Sequence, residues 1–324
     1  MHYPVIVVGA GAAGLAACDG LQRAGVRCLS IAPGESPALV AAAGMLLPTL
    51  DDFSTAVQLA ADWSYEAWVD FLAQCGAGSS LRACRVLHYD QISPRCVDAF
   101  DGRVINTRDL YEVLRSALTN TVESWVTQCR LMPDLCEVQT EDGTFYTCET
   151  LILATGVSIS PPEVTGLPAG AIRSPRSVRG ITLRCQWDGL DSIRYWKRDP
   201  RTVIYIAPWF DGTVVVGSTI GLDDHASDWR PDEERALLAA ADLLVPGLGQ
   251  AAVLERRVGF RPLSADREPQ LRQLGVAGRA QIWSIDGLFR NGVLWMPACA
   301  ALAPQIHRRI SVQADLSGLV QYHL

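Results

Sequence analysis

The sequence predicts an α/β (α+β) protein. A Rossmann-like sheet contributed by both ends of the chain is combined with a mainly antiparallel sheet from its middle. Three observations carry this expectation. A strand, a glycine-rich turn, a helix and a second strand follow one another over residues 3–32. Closely spaced strand-like runs joined by tight turns fill residues 178–220. A strand at 281–285 then leads into a helix at 297–310, so the later part of the chain can complete the sheet that the first part begins.

Each element has a local reason. Residues 3–8 are rich in β-branched side chains, as suits a buried strand. Gly9-Ala10-Gly11-Ala12-Ala13-Gly14 follows, and residues 15–24 read as a helix stopped by Gly25. Residues 26–32 form the second strand, which completes one βαβ unit. Residues 34–50 are a loop rich in Ala, Gly and Pro, and 53–74 have helical spacing. Thr107 is expected to cap a helix that runs to about Leu118. Residues 121–125, 135–140, 144–148 and 150–154 read as strands, with Glu141-Asp142-Gly143 as a hairpin turn. Residues 181–185, 202–207 and 213–218 are strand-like, the last two joined by Phe210-Asp211-Gly212. Residues 231–244 are helical, 253–260 and 281–285 return to strand, and 297–310 form the last helix.

Composition narrows the class. A chain of 324 residues that is 49% hydrophobic and 19% charged can bury a sizeable core. A net charge of −7 and a pI near 5.3 argue against nucleic acid or an anionic membrane as a partner. No apolar run approaches the ~20 residues of a membrane span. The 10 cysteines include no C-x-x-C pair, so no metal site is expected, and they read as reduced thiols packed like small hydrophobes. An apolar strand at once, with no basic region before it, points to a soluble cytoplasmic protein in a reducing compartment.

The glycine turn carries the chemistry. Between a strand and a helix, G-x-G-x-x-G is a dinucleotide-binding pattern. Gly9 permits the tight turn, Gly11 lets backbone approach a pyrophosphate, and Gly14 lets helix and strand pack closely. Ala12 and Ala13 open the helix whose free N–H groups would face the phosphates. The second strand of such a unit usually ends in a carboxylate that holds a ribose. Here it ends on Ala32, and Glu35 comes three residues later. Losing a charge-assisted hydrogen bond costs about 1.5–3 kcal/mol, a tenfold to hundredfold loss of affinity.

Four further segments occur in order: Ala41-Ala42-Ala43-Gly44-Met45-Leu46-Leu47-Pro48; Tyr205-Ile206-Ala207-Pro208 with Asp211 to Thr219 after it; Gly259-Phe260-Arg261-Pro262; and Gly287-Leu288-Phe289-Arg290-Asn291-Gly292-Val293-Leu294-Trp295-Met296-Pro297-Ala298. As an ordered set from Val5 to about Ile310, they make the chain resemble the D-amino acid oxidase superfamily of FAD-dependent amine oxidases, and within it the glycine oxidases.

The resemblance implies an FAD domain of the glutathione-reductase type, built from residues 1–50, 107–175 and 255–324, and an antiparallel substrate domain from 51–106 and 176–254. FAD would lie on the glycine turn. Ala43, Gly44 and Met45 would run beside the flavin, and Thr155 and Gly156 would end a second nucleotide-contacting strand. Arg290, Asn291, Gly292 and Val293 would approach the pyrimidine end of the flavin. Arg261 would take a substrate carboxylate with its planar fork, Arg290 would be a second arginine near the flavin, and Tyr205 would line the pocket. Trp209 and Trp295 could wall that pocket, although large aromatics usually serve packing. Ile220 would form an apolar wall. None of the histidines falls in a motif.

The implied reaction is oxidation of glycine or another small amino acid or amine, with oxygen as acceptor, to a 2-oxo acid, ammonia and hydrogen peroxide. A place in thiamin biosynthesis and a homo-oligomeric state are also implied. Two other readings stand beside it. One is a catalytically silent FAD-fold chain or non-catalytic subunit, which Ala32, Leu39 and Leu288 favour. The other is a flavin dehydrogenase with a different electron acceptor.

Overall fold

The computed structural model describes residues 1–34, 37–48, 53–158, 161–199 and 202–322. Glu35 lies outside the described residues. The first third of the chain forms β1 (His2–Val8), α1 (Ala12–Arg23), β2 (Cys28–Ile31), α2 (Pro37–Ala41), β3 (Met45–Leu46), α3 (Thr55–Glu66), α4 (Trp68–Cys75), β4 (Leu81–Tyr89) and β5 (Cys96–Ile105). It continues with α5 (Thr107–Ser116), β6 (Thr121–Val122), β7 (Val126–Met132), β8 (Leu135–Thr140), β9 (Phe145–Leu153), β10 (Glu163–Thr165), β11 (Arg176–Cys185) and β12 (Ser192–Asp199). The last third is β13 (Thr202–Pro208), β14 (Val214–Gly217), β15 (Gly221–Leu222), α6 (Pro231–Leu244), β16 (Val253–Leu263), β17 (Gln270–Ala277), β18 (Ala280–Asp286), α7 (Met296–Arg308) and β19 (Val320–Gln321).

Among the described residues the strands make two sheets. In the first, β1 is central, and its Val5, Ile6 and Val7 are fully buried. It runs parallel to β2, with Val5 beside Cys28, and parallel to β9, with Val5 beside Thr150. β6 extends the sheet beyond β2, and β18 extends it beyond β9, with Leu151 beside Ile282. The late strand β18 therefore completes the sheet begun by β1, as the sequence pattern requires. Strands buried on both faces read as continuous apolar runs, as β1 does.

The sequence reading split β9 into two strands. In the structure it is one, because β1 pairs with it in a single register from Thr147 to Leu153. What changes along β9 is the other neighbour. Its first residues pair antiparallel with β8, and its last ones pair parallel with β18.

The second sheet has the order β15-β11-β14-β13-β12-β4-β5-β3, with β16 also on β11. Its pairs are antiparallel except for β12 with β4. The hairpin β4–β5, strand β12 and strand β17 were not anticipated. The hairpin β4–β5 and strand β12 carry charged residues that hide the apolar alternation, and β17 is interrupted by the polar residues Gln270, Arg272 and Gln273. The helical stretch 53–74 is two helices that meet at Ala67. Asn106, not Thr107, caps α5: its side chain accepts from the Asp109 amide, while the Thr107 hydroxyl donates to the Ala42 carbonyl at 3.1 Å.

The two helices flanking the site pack backbone to backbone. A Cβ on Gly20 of α1 would stand 2.6 Å from the carbonyl carbon of Ala300 in α7. This close approach brings the loop before α7 against the start of α1. All 10 cysteines are free, and eight of them are buried, as expected of thiols packed as small hydrophobes. Among the described residues no helix is long and apolar enough to cross a membrane, and no cluster of side chains could hold a metal.

Candidate active site

A cavity of about 500 Å³ runs between the two sheets. Its floor on the first sheet is backbone. Gly9 follows β1 with φ +111°, a conformation that favours glycine, and a Cβ there would stand 2.8 Å from the carbonyl carbon of Ala154. Gly11 is the N-cap of α1, the cap makes no side-chain hydrogen bond, and the first turn of the helix has no acid. The positive end of this helix is thus left open to an anion. Gly14 does not line the cavity; a Cβ on it would stand 2.8 Å from the carbonyl carbon of Gly9, so its part is in the close packing of the turn.

Of the remaining predicted cofactor residues, Gly9, Gly11, Ala12, Ala13, Ala32, Ala43, Gly44, Met45, Thr155, Gly156, Arg290, Asn291, Gly292 and Val293 all line this one cavity. Gly44 has φ +66° and stands where a Cβ would be 2.9 Å from the carbonyl carbon of Ile105. Gly292 faces open space: the nearest atom to a Cβ there would be the Ala12 Cβ at 3.9 Å. Small residues on both sides keep the groove wide enough for a flat ring system.

On the second sheet the cavity meets Arg261, Tyr205 and Tyr195, and Arg290 reaches it from the loop between β18 and α7. Arg261 comes from β16 and Tyr205 from β13, and both line the cavity. The Arg261 guanidinium lies against Gly180, where a Cβ would stand 2.6 Å from Cζ, and its Nη1 donates to the Thr219 carbonyl at 3.2 Å. The Tyr205 ring lies against Gly217 in the same way, with Cε2 2.5 Å from a Cβ placed there. Gly180 inside β11 and Gly217 at the end of β14 therefore clear the space that these two side chains fill. Arg290 donates to the Tyr195 hydroxyl at 2.8 Å and lies over its ring, 5.7 Å from the centroid.

The electrostatics follow from burial. Desolvation pulls the Arg261 pKa below its ordinary value; Tyr205 opposes this, and the Arg290 charge adds to it. Burial pushes the Tyr205 hydroxyl up, against the opposing pull of Arg261 and of hydrogen bonding to Ser218. Two guanidinium groups within one buried site repel each other, which favours an anionic ligand between them.

The sequence reading missed Tyr195, Ser218, Thr182 and His225, all of which line the cavity. Tyr195 lies on the unanticipated β12. His225 follows β15 in a loop fastened by Arg179, whose Nε donates to the Ala226 carbonyl at 2.7 Å and whose Nη1 meets Glu233 at 2.6 Å. The signal that could have found the pocket was Gly180, at the edge of one strand-like run, and Gly217, inside another. Trp209 and Trp295 do not line the cavity. Trp209 borders a small separate pocket beside Arg257, and Trp295 is buried edge-on against Phe53. Ile220 packs in a core cluster of the second sheet.

A nucleotide cradle on a parallel sheet opens onto a cationic pocket on an antiparallel one, an arrangement that fits a dinucleotide lying beside a small anion. Comparison with known proteins gives the family. The profile of the FAD dependent oxidoreductase (DAO) family matches residues 107–305, and the chain belongs to that family.

The tRNA 5-methylaminomethyl-2-thiouridine biosynthesis bifunctional protein MnmC of Aromatoleum aromaticum is 31% identical over 173 residues, 47% of this chain and 25% of that protein. The bifunctional protein ThiO/ThiG of Synechocystis is 27% identical over 92% of this chain and 50% of its own length. The glycine oxidase of Pseudomonas putida is 30% identical over 51% of this chain and 43% of its own. The matches thus span half or less of these curated relatives. Among solved structures, glycine oxidase from Geobacillus kaustophilus superposes with a TM-score of 0.82 over 98% of both chains at 20% identity, which is a likeness of fold.

FAD is the cofactor of this family, and the residues present fit it. The open helix end suits a pyrophosphate, and the groove beside Gly44 and Gly292 has no side chain to obstruct a planar ring.

Proposed function

We propose that this FAD-dependent oxidoreductase oxidises glycine or another small amino acid or amine, with oxygen as acceptor. The observation that carries the reading is Arg261: a half-buried guanidinium, seated against Gly180 and bordering the cavity beside Tyr205. The bound flavin supplies the hydride acceptor. Arg261 binds the substrate carboxylate through its fork, and Tyr205 donates to the same group. Arg290, steadied by Tyr195, closes the other side of the pocket. The chain's service is to hold the substrate's α-carbon in a reactive position and to keep water out. No side-chain base is required if the substrate enters as the neutral amine. Two relatives' names, glycine oxidase and putative thiamine biosynthesis oxidoreductase ThiO, support a small amino acid and a role in thiamin biosynthesis.

The cofactor roles of the lining residues named above belong to this proposal. So does the division into an FAD part (1–50, 107–175 and 255–324) and a substrate part (51–106 and 176–254). β16 begins at Val253 and pairs with β11, so it joins the two. The test is peroxide formation by the purified protein from a panel of small amino acids and amines. Peroxide from glycine or a close analogue supports the reading. A second reading, a catalytically silent FAD-fold chain, is favoured by Ala32 and predicts a colourless protein with no turnover of any of these.

A further inference from the structure

Ala32 lines the cavity at the end of β2, where a ribose-holding carboxylate is ordinarily found. The sheet brings a different carboxylate to the same place. β6 runs parallel to β2 with Ile31 beside Val122, and the Ala32 amide donates to the Val122 carbonyl at 3.1 Å. The next residue beside Ala32 is therefore Glu123. Neighbours in register point to the same face of a sheet, about 4.8 Å apart.

A glutamate is long enough to cross that gap, and the Glu123 carboxylate reaches Gly34, two residues beyond Ala32. Its Oε1 stands 3.6 Å from the position a Cβ on Gly34 would take. Gly34 lines the cavity, and so do Ser124 and Trp125, which follow Glu123. Arg115 holds the carboxylate in place. Its Nη2 lies 3.4 Å from Glu123 Oε2, while Nη1 donates to the Gly34 carbonyl at 2.8 Å and to the Tyr111 hydroxyl at 2.6 Å. The Glu123 side chain is 71% exposed, and an ion pair so exposed adds little to stability. Its effect is to hold Oε1 beside Gly34, at the rim of the cavity whose lining includes Gly34 and Ser124.

We propose that Glu123 is the ribose-binding acid of this chain, supplied by β6 instead of β2. Its carboxylate accepts hydrogen bonds from the 2′ and 3′ hydroxyls of the FAD adenosine, and Arg115 is the positioning residue. The proposal rests on the reading that FAD lies along the glycine turn.

The test is calorimetric binding of FAD, ADP and 2′,3′-dideoxy-ADP to the full-length chain stripped of flavin. The wild type is expected to prefer ADP over the dideoxy analogue by about tenfold or more, as for a charge-assisted hydrogen bond. Glu123→Ala and Glu123→Gln should abolish the preference without changing the affinity for the analogue. Arg115→Ala should reduce it, and Glu35→Ala should leave it intact. Circular dichroism of each variant establishes that it is folded. The proposal is overturned if the preference survives in Glu123→Ala, if Glu35→Ala removes it, or if the wild type binds FAD with no preference. A folded wild type that takes up neither FAD nor ADP would overturn the FAD reading itself, and this proposal with it.

Discussion

Gly180 lies directly against the guanidinium of Arg261, so close that a Cβ on Gly180 would stand 2.6 Å from Cζ. The glycine on β11 and the arginine on β16 belong to paired antiparallel strands, in which Gly180 is opposite Gly259 and Arg261 is two residues further along β16. Glycine here makes room for the arginine. Gly180→Ala must therefore displace Arg261 from its seat. We expect the Michaelis constant for the amino acid substrate to rise about tenfold or more, while the bound flavin content stays at the wild-type level. Titration with substrate and a flavin absorbance ratio on the same sample check both halves of the prediction.

Replacing Arg261 itself tests its charge and its shape separately. Arg261→Ala removes a charge-assisted bidentate bond, so kcat/KM should fall by at least tenfold to hundredfold, mostly through KM. Arg261→Lys keeps the charge but loses the planar fork, and should recover only part of that loss. Unchanged steady-state kinetics in Arg261→Ala would remove this residue from the pocket.

Much of this site was legible in the sequence because it is made of motifs in which local chain shape and chemistry coincide. Gly9 and Gly11 declare a tight turn before a helix, and Gly259-Phe260-Arg261-Pro262 places its arginine on a strand. The pocket's other half was hidden. Tyr195 lies on β12, whose charged neighbours Arg194 and Lys197 obscure the strand, and nothing in the sequence pairs it with Arg290, 95 positions away. His225 reaches the cavity because Arg179 ties down its loop, which is a long-range contact with no local signature. The single strand β9 was misread as two for the same reason, since continuity is imposed by β1 and not by its own residues.

Gly44 is a test of the groove. With φ +66° and Ile105 backbone pressed against it, Gly44→Ala meets both a left-handed conformation and a collision. The conformational part alone costs about 1–2 kcal/mol. The variant should melt several degrees lower and retain less FAD after gel filtration. A variant with unchanged melting and flavin content would show that the chain at 44 moves aside readily.

Asp286, at the end of β18, gives a pH prediction. Burial raises its pKa from 3.8 to about 6, against the opposing effects of the Gly287 amide at 2.7 Å and of Arg272. The folded chain thus holds this proton more tightly than the unfolded chain. The stabilisation is fully present below about pH 4 and is lost as pH rises through about 6. Asp286→Asn cannot ionise. Its stability relative to wild type should improve between pH 4 and pH 7, by at most about 3 kcal/mol. Urea melts of both proteins across that range measure the difference; a constant offset would mean Asp286 ionises normally.

The central claim is that this cavity holds a working flavin facing a carboxylate pocket. The most direct measurement is an absorbance spectrum of the purified protein, supplemented with FAD, before and after anaerobic addition of small amino acids, glycine first. The predicted result is a flavin spectrum that bleaches with glycine or a close analogue and recovers on admission of oxygen. A protein that remains colourless after incubation with FAD, or a bound flavin that no member of the series reduces, would contradict it.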